Sequence, residues 1–259
     1  MEENFNENGE ITEAPSRAKR FRIWLDNYIY HYKWHTIIAL FLVFTITVCS
    51  VQMCDKESYD VYVVYAGGYQ VSKLVTDGDV AEFVTFSKSL NRAAEDYNED
   101  GKVSVSLDTL FLLTADEIKA TNDKLKEEGS NKEVQTQLIS QNFKTMNDRM
   151  LYSEYYVCIM SAEIFKHYSA KADHMFADLS KYVDTGTEVS YFNEGKDTTA
   201  IYLNSTGFKN LPVLYDLPDD TVIALRGFSE VSNFLDGDDN RENYRRSEQY
   251  VRNVINYGK

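Results

Sequence analysis

Proline and cysteine are scarce here, three of each in 259 residues, and there are only two tryptophans and four histidines. With so little proline there is no Pro-rich linker to divide the chain. Cys49, Cys54 and Cys158 set no disulfide framework, because two belong to one apolar run and the third to a strand-like stretch. His167 and His174 are the only histidines after residue 54. A structural zinc site usually wants four ligands, often with cysteine, so both are expected to be surface residues.

Positive charge is also short. Lysine and arginine number 27 against 41 acids, for a net charge of −14. No basic stripe with interleaved aromatics appears after residue 60, which argues against a nucleic-acid partner. The chain has no nucleophile elbow, P-loop, HExxH or dinucleotide fingerprint, and Gly67-Gly68 lacks a third glycine. The expectation is a protein that is not an enzyme and carries no cofactor.

One long apolar run is present, "WHTIIALFLVFTITVCSVQMC", Trp34–Cys54. At 1.5 Å per residue it covers about 30 Å, the thickness of a bilayer's hydrocarbon core. Arg17, Lys19, Arg20, Arg22 and Lys33 precede it, while Asp55, Lys56, Glu57 and Asp60 follow. Basic flanks stay on the cytoplasmic side, so the expected topology is a single-pass signal-anchor with the N-terminus inside. A cleaved signal is disfavoured, since Met53 stands where a lipoprotein signal before Cys54 would need a small residue. Residues 1–16 are polar and acidic and read as a disordered cytoplasmic tail. Residues 17–33 form a basic, aromatic juxtamembrane segment. In it Phe21, Trp24, Leu25 and Tyr28 have the spacing of a helix lying in the membrane interface, or of a plain cytosolic extension of the span.

Residues 55–259 are enough for one extracytoplasmic domain. "YDVYVVYA", Tyr59–Ala66, reads as a buried central strand. A helix follows from Asp77 or Asp79, then the strand "KVSVSLDTLFLL". Thr114 and Glu117 form a capping box before a polar helix, and a second helix runs from Asn131. "EYYVCIM" is another buried strand. "TTAIYL", "DTVIALRGF" and an amphipathic helix from about Asn240 complete the chain. Strand–helix alternation predicts an α/β domain with a mostly parallel sheet and right-handed crossovers.

Two acidic clusters raise the question of cations. In "DYNEDGKVSVSL" Asp96, Asn98 and Asp100 stand at positions 1, 3 and 5 with Gly101 at 6, as in an EF-hand loop. Position 12 is Leu107 where a bidentate carboxylate belongs, and the stretch after Gly101 alternates like a strand. Weak calcium binding there competes with a plain Asp-Gly turn between helix and strand, and the turn is the better reading. Asp236, Asp238 and Asn240 repeat the spacing, but Arg241 replaces the glycine and a helix cap is the simpler role. Among the 19 tyrosines, Tyr65, Tyr69, Tyr155 and Tyr156 fall at strand ends, and open α/β sheets bind ligands at strand carboxyl ends.

"YDVYVVYAGGY", "AAEDYNEDGKVSVSL", "YYVCIMSAEIFKHY" and "FADLSKYV" together resemble one lobe of bacterial extracellular solute-binding proteins. With the "HYKWH" segment before a single span, the chain resembles membrane-anchored proteins of clostridial-type bacteria. The likeness covers roughly 59–217. It implies a periplasmic-binding-protein-like lobe with the Asp178–Tyr182 stretch near a ligand cleft, although about 205 residues are short for two lobes. The expected function is therefore a membrane-tethered binding or interaction module for a small solute or a protein partner. The alternative is a structural subunit of a membrane complex.

Overall fold

The computed structural model describes residues 16–54, 59–72, 81–130, 132–152, 155–171, 174–228 and 230–258, and for 51–54 and 230–238 only the backbone. The chain divides into two compact units, Met1–Glu57 and Ser58–Lys259. The predicted tail and the cap residues Asp77 and Asp79 lie outside the described residues.

The first unit is one helix, α1 (Arg17–Cys54), unbroken over 38 residues. It is long and apolar enough to cross a membrane by length and composition. The juxtamembrane segment and the apolar run thus share one helical axis.

The second unit is built on a five-stranded mixed sheet in the order β2-β1-β3-β5-β4. Its strands are β1 (Val61–Gly67), β2 (Val105–Phe111), β3 (Val157–Ser161), β4 (Ala200–Tyr202) and β5 (Thr221–Leu225). β1 pairs in parallel with β2 and β3, whereas β5 runs antiparallel to both β3 and β4. The sheet is thus mixed, not mostly parallel. The cause is the connection before β5, where only 3-10 turns fill the stretch after β4, so no crossover helix carries the chain back to start a parallel strand.

Five helices cover the sheet: α2 (Glu82–Asn91), α3 (Ala115–Glu127), α4 (Thr136–Tyr152), α5 (Ala162–Ser169) and α6 (Glu230–Ile255). Alternation along β1 splits the core. Val61, Val63 and Tyr65 meet Phe86 and Leu90 of α2 and Tyr250, Val251 and Val254 of α6. Val64 and Ala66 meet Met146 and Met150 of α4 and Ile164 and Phe165 of α5 on the other face. The β1–β2 and β2–β3 crossovers run in opposite directions with their helices on opposite faces, so both have the same hand.

Local chemistry sets the element ends. Thr114 and Glu117 complete the capping box that starts α3. α2 stops at Asn91, whose side-chain oxygen accepts the Val105 amide at 2.9 Å. The last turn of α4 is closed by Arg226, a buried residue just after β5. Its guanidinium donates to the carbonyls of Arg149 and Met150 and lies 4.4 Å from the Tyr156 ring centroid. A cation there answers both the orphan carbonyls and the negative end of the helix dipole. The sheet's borders are short or charged. β4 has three residues, and β2 carries the Asp108–Arg149 ion pair at 3.0 Å, with the Asn142 amide donating to Phe111 O at 2.9 Å.

Candidate functional site: a cleft at the strand carboxyl ends

The order β2-β1-β3 makes the carboxyl end of β1 a switch point, where flanking connections part and a crevice opens. A cleft of about 580 Å³ lies at this end, over β1 and β2. Tyr65 and the segment Tyr69–Ser72 form one wall, Thr109–Phe111 the floor, and Leu138 and Asn142 of α4 the far side. Its volume falls in the range usual for small-molecule sites.

Gly67 and Gly68 let the chain leave β1 at this point. A Cβ on Gly67 would stand 3.0 Å from the Tyr65 hydroxyl, and one on Gly68 would stand 2.9 Å from Leu113 Cδ2. Past the glycines, the Tyr69 amide donates to the Tyr65 hydroxyl at 3.3 Å. The Tyr69 hydroxyl donates to Glu82 Oε1, and the Ser72 amide donates to Glu82 Oε2 at 2.8 Å. Glu82 opens α2, where the helix dipole favours its charge. One carboxylate thereby pins the loop after β1 to the start of the next helix. Burial, with the hydrogen bond to Glu82 next in size, holds the Tyr69 phenol well above its ordinary pKa. Burial does the same for Tyr65.

The described lining residues are all uncharged, yet charge surrounds them. Tyr65 feels Asp220 and Tyr69 feels Glu82 and Asp216. Burial raises the Asp220 carboxyl, and Glu117, Glu163 and Asp219 raise it further. Among the described residues the one nearby cation, Lys209, is buried and donates to Leu217 O, and that burial lowers its pKa against the pull of Asp219, Asp216 and Asp220. The described residues at this end of the sheet thus give a neutral interior and an acidic rim, which repels anions.

The other expected positions separate. Asp96, Asn98 and Asp100 do come together, as one compact turn. Asp96 accepts the amides of Asp100 and Gly101 at 3.1 and 2.8 Å, Asn98 accepts that of Asp100 at 3.1 Å, and Asp100 accepts that of Lys102 at 2.8 Å. Leu107, the residue at position 12, lies in β2. Beneath the turn, buried Asp60 accepts the amides of Tyr97, Asn98 and Ser104 at 2.7, 3.1 and 2.8 Å. Among the described residues no group of three or more His, Cys, Asp or Glu is arranged to hold a metal. Asp236, Asp238 and Asn240 fall within α6, which starts ten residues earlier than expected, and the Asp236 and Asp238 side chains lie outside the described residues. His167 packs on Phe143, with 5.6 Å between ring centroids, and α5 ends before His174.

Tyr155 and Tyr156 sit at the amino end of β3, away from the cleft, and Tyr156 is buried against Phe228, Tyr244 and Arg226. The Asp178–Tyr182 stretch borders a second hollow of about 540 Å³, shared with Glu95 and several α6 side chains. Ion pairs occupy it: Lys181 with Glu248 and Arg245 with Glu242, at 3.4 and 3.1 Å, while Tyr182 donates to Glu248 at 2.5 Å. Its polar groups are spent on one another.

Sequence reasoning reached Tyr65 and Tyr69 through the strand-end rule. It missed Glu82 and Asp60, whose partners come together only on folding, and Lys209, whose partner Leu217 follows it by eight residues across irregular turns. Compared with known proteins, the chain matches no family model, no curated protein and no solved structure.

Proposed function

We propose that this chain is a membrane-anchored, extracytoplasmic binding module whose cleft over β1 and β2 takes a small uncharged ligand rich in hydroxyl groups. The observation that carries the reading is the cleft's chemistry at a switch point: aromatic rings from Tyr65, Tyr69 and Phe111 beside the amide and hydroxyl groups of Gln70, Thr109 and Asn142. Aromatic faces and neutral polar groups suit hydroxylated rings, and the acidic rim disfavours anions. Support for anchoring is the length and apolarity of α1, and the basic residues before its apolar run favour an N-terminus on the cytoplasmic side. The reading is of binding and not catalysis because Glu82, the carboxylate bonded to Tyr69 and Ser72 of the cleft wall, has both oxygens accepting structural hydrogen bonds.

The test is thermal unfolding of the full-length protein in detergent against a panel of neutral saccharides, polyols, amino acids and sugar phosphates. A ligand at about 100 times its Kd should raise the midpoint by roughly 5–10 °C. Q70A and T109V should abolish that rise without lowering the ligand-free midpoint by more than a few degrees. A shift only with anionic solutes would overturn the ligand class. No shift with any solute would favour the structural-subunit reading, which crosslinking in native membranes then checks.

A further inference from the structure

The N-terminal part of α1 carries a feature that the span does not need. Phe21, Trp24, Tyr28, Tyr32 and His35 form one continuous ribbon of rings, with successive centroids 5.8, 5.6, 5.4 and 6.1 Å apart. Phe21, Trp24 and Tyr32 are each more than half exposed, at 61%, 58% and 53%. At 100° per residue, Arg17 falls in line with the ribbon and Arg20 lies about 80° to one side, while Asp26, the one acid from Arg17 to Lys33, falls on the far half of the helix with Lys19, Arg22 and Lys33.

We infer that this ribbon docks on the anionic headgroups of the leaflet from which α1 emerges. The inference rests on the proposed anchoring and adds a second, lipid-binding surface to it. If Trp34–Cys54 crosses the hydrocarbon, the preceding 17 helical residues extend about 25 Å further along the same axis. Held perpendicular, that extension would leave a row of aromatic rings in water. Membrane helices tilt by up to about 40°, at which a hydrocarbon core of about 30 Å covers roughly 26 residues. The boundary then moves back to about Ile29, and one face of the preceding turns, with Tyr28 and Trp24, enters the headgroup layer. The ribbon is the face whose burial there is favourable, because Trp and Tyr sit well at the headgroup level. Arg17, in line with the ribbon, and Arg20 beside it then face lipid phosphates, and each basic side chain near an anionic leaflet strengthens binding about fivefold. Charge also selects the occupant. A second copy laid along the same face would bring Arg17 and Arg20 against their own equivalents, whereas an anionic surface neutralises them.

Both tryptophans of the chain, Trp24 and Trp34, lie in α1, so selectively excited tryptophan fluorescence reports on this helix alone. The full-length W34F variant leaves Trp24 as the single reporter on the ribbon. It is reconstituted into vesicles of phosphatidylcholine, with or without phosphatidylglycerol, that contain lipids brominated close to the headgroup. The leaflets are identical, so insertion in either direction gives the same readout. The expected result is strong quenching and a blue-shifted Trp24 in the anionic vesicles, and at least a halving of that quenching both in phosphatidylcholine alone and after R17Q/R20Q. Protein that floats with the vesicles while Trp24 stays water-exposed in both lipids overturns the docking and leaves the anchoring intact. Equal quenching in both lipids overturns the role of charge. Unquenched but blue-shifted Trp24 together with crosslinked dimers shows that a second copy covers the ribbon, and also overturns the inference. Failure to float overturns the anchoring, and the docking with it.

Discussion

The Tyr69 hydroxyl donates to the Glu82 carboxylate, and this contact joins the loop that closes the cleft to the first residue of α2. Removing either partner leaves the other half-buried and unsatisfied. Y69F should cost about 1 kcal/mol and E82Q about 1–2 kcal/mol in urea unfolding. The double variant should lose less than the sum, giving a coupling of about 1 kcal/mol. Strict additivity would mean that the two groups do not interact in solution.

Asp220 predicts a pH effect of definite sign. Its carboxyl pKa is raised in the fold by burial and by neighbouring acids, so the native state holds this proton more tightly than the unfolded chain does. Stability therefore falls as pH rises from the unfolded value, about 3.9, through the raised folded value, and stays lower above it. D220N should raise the unfolding midpoint at pH 7, and the gain should vanish below about pH 4. Its main-chain carbonyl, which accepts the Ala162 amide at 3.0 Å, is unchanged by the substitution. A gain of equal size at pH 3.5 would contradict this account.

Arg226 should be the most sensitive charged position in the second unit. R226A removes the donors that close α4 and should cost about 2–4 kcal/mol. R226K keeps the charge but not the flat guanidinium that stacks on Tyr156 while its Nη1 donates to both carbonyls, so it should recover less than half of the loss. Full rescue by lysine, read from chemical denaturation, would show that charge alone matters.

Cys158 is fully buried in β3, and burial pushes its thiol up to about 12. In a C49S/C54S background a maleimide at pH 8 should leave the native protein unmodified and label it within minutes in denaturant, as followed by mass spectrometry. Rapid labelling of the native form would place this strand at a more open position than the sheet centre.

Much of the α/β unit was legible because its signals are local. The Thr114–Glu117 capping box lies within one turn, and the apolar runs of β1 and β3 need no partner to be recognised. Strand direction was not legible. β5 reads as a fully buried run whether it pairs parallel or antiparallel, and only the helix-free connection before it decides. The start of α6 was hidden because Asp236–Asn240 has the composition of a cap yet continues the helix. At the site, Tyr65 and Tyr69 could be found from their place after a strand. Glu82 could not, because Tyr69 and Ser72 reach it only after the chain has folded back. Asp60 looked like a charge flanking the apolar run, whereas its oxygens organise the turn at Tyr97–Ser104.

The borders of the sheet have a consequence for life at high density. Proteins fixed to a surface collide edge to edge far more often than proteins diffusing in volume, and an open strand invites recruitment of its neighbours into fibrils. Here one margin is three residues long and already bridged to Ser190 and Tyr191, and the other is interrupted by an ion pair and a side-chain amide. Under the proposed anchoring, such blunted margins would let copies crowd together and remain separate molecules.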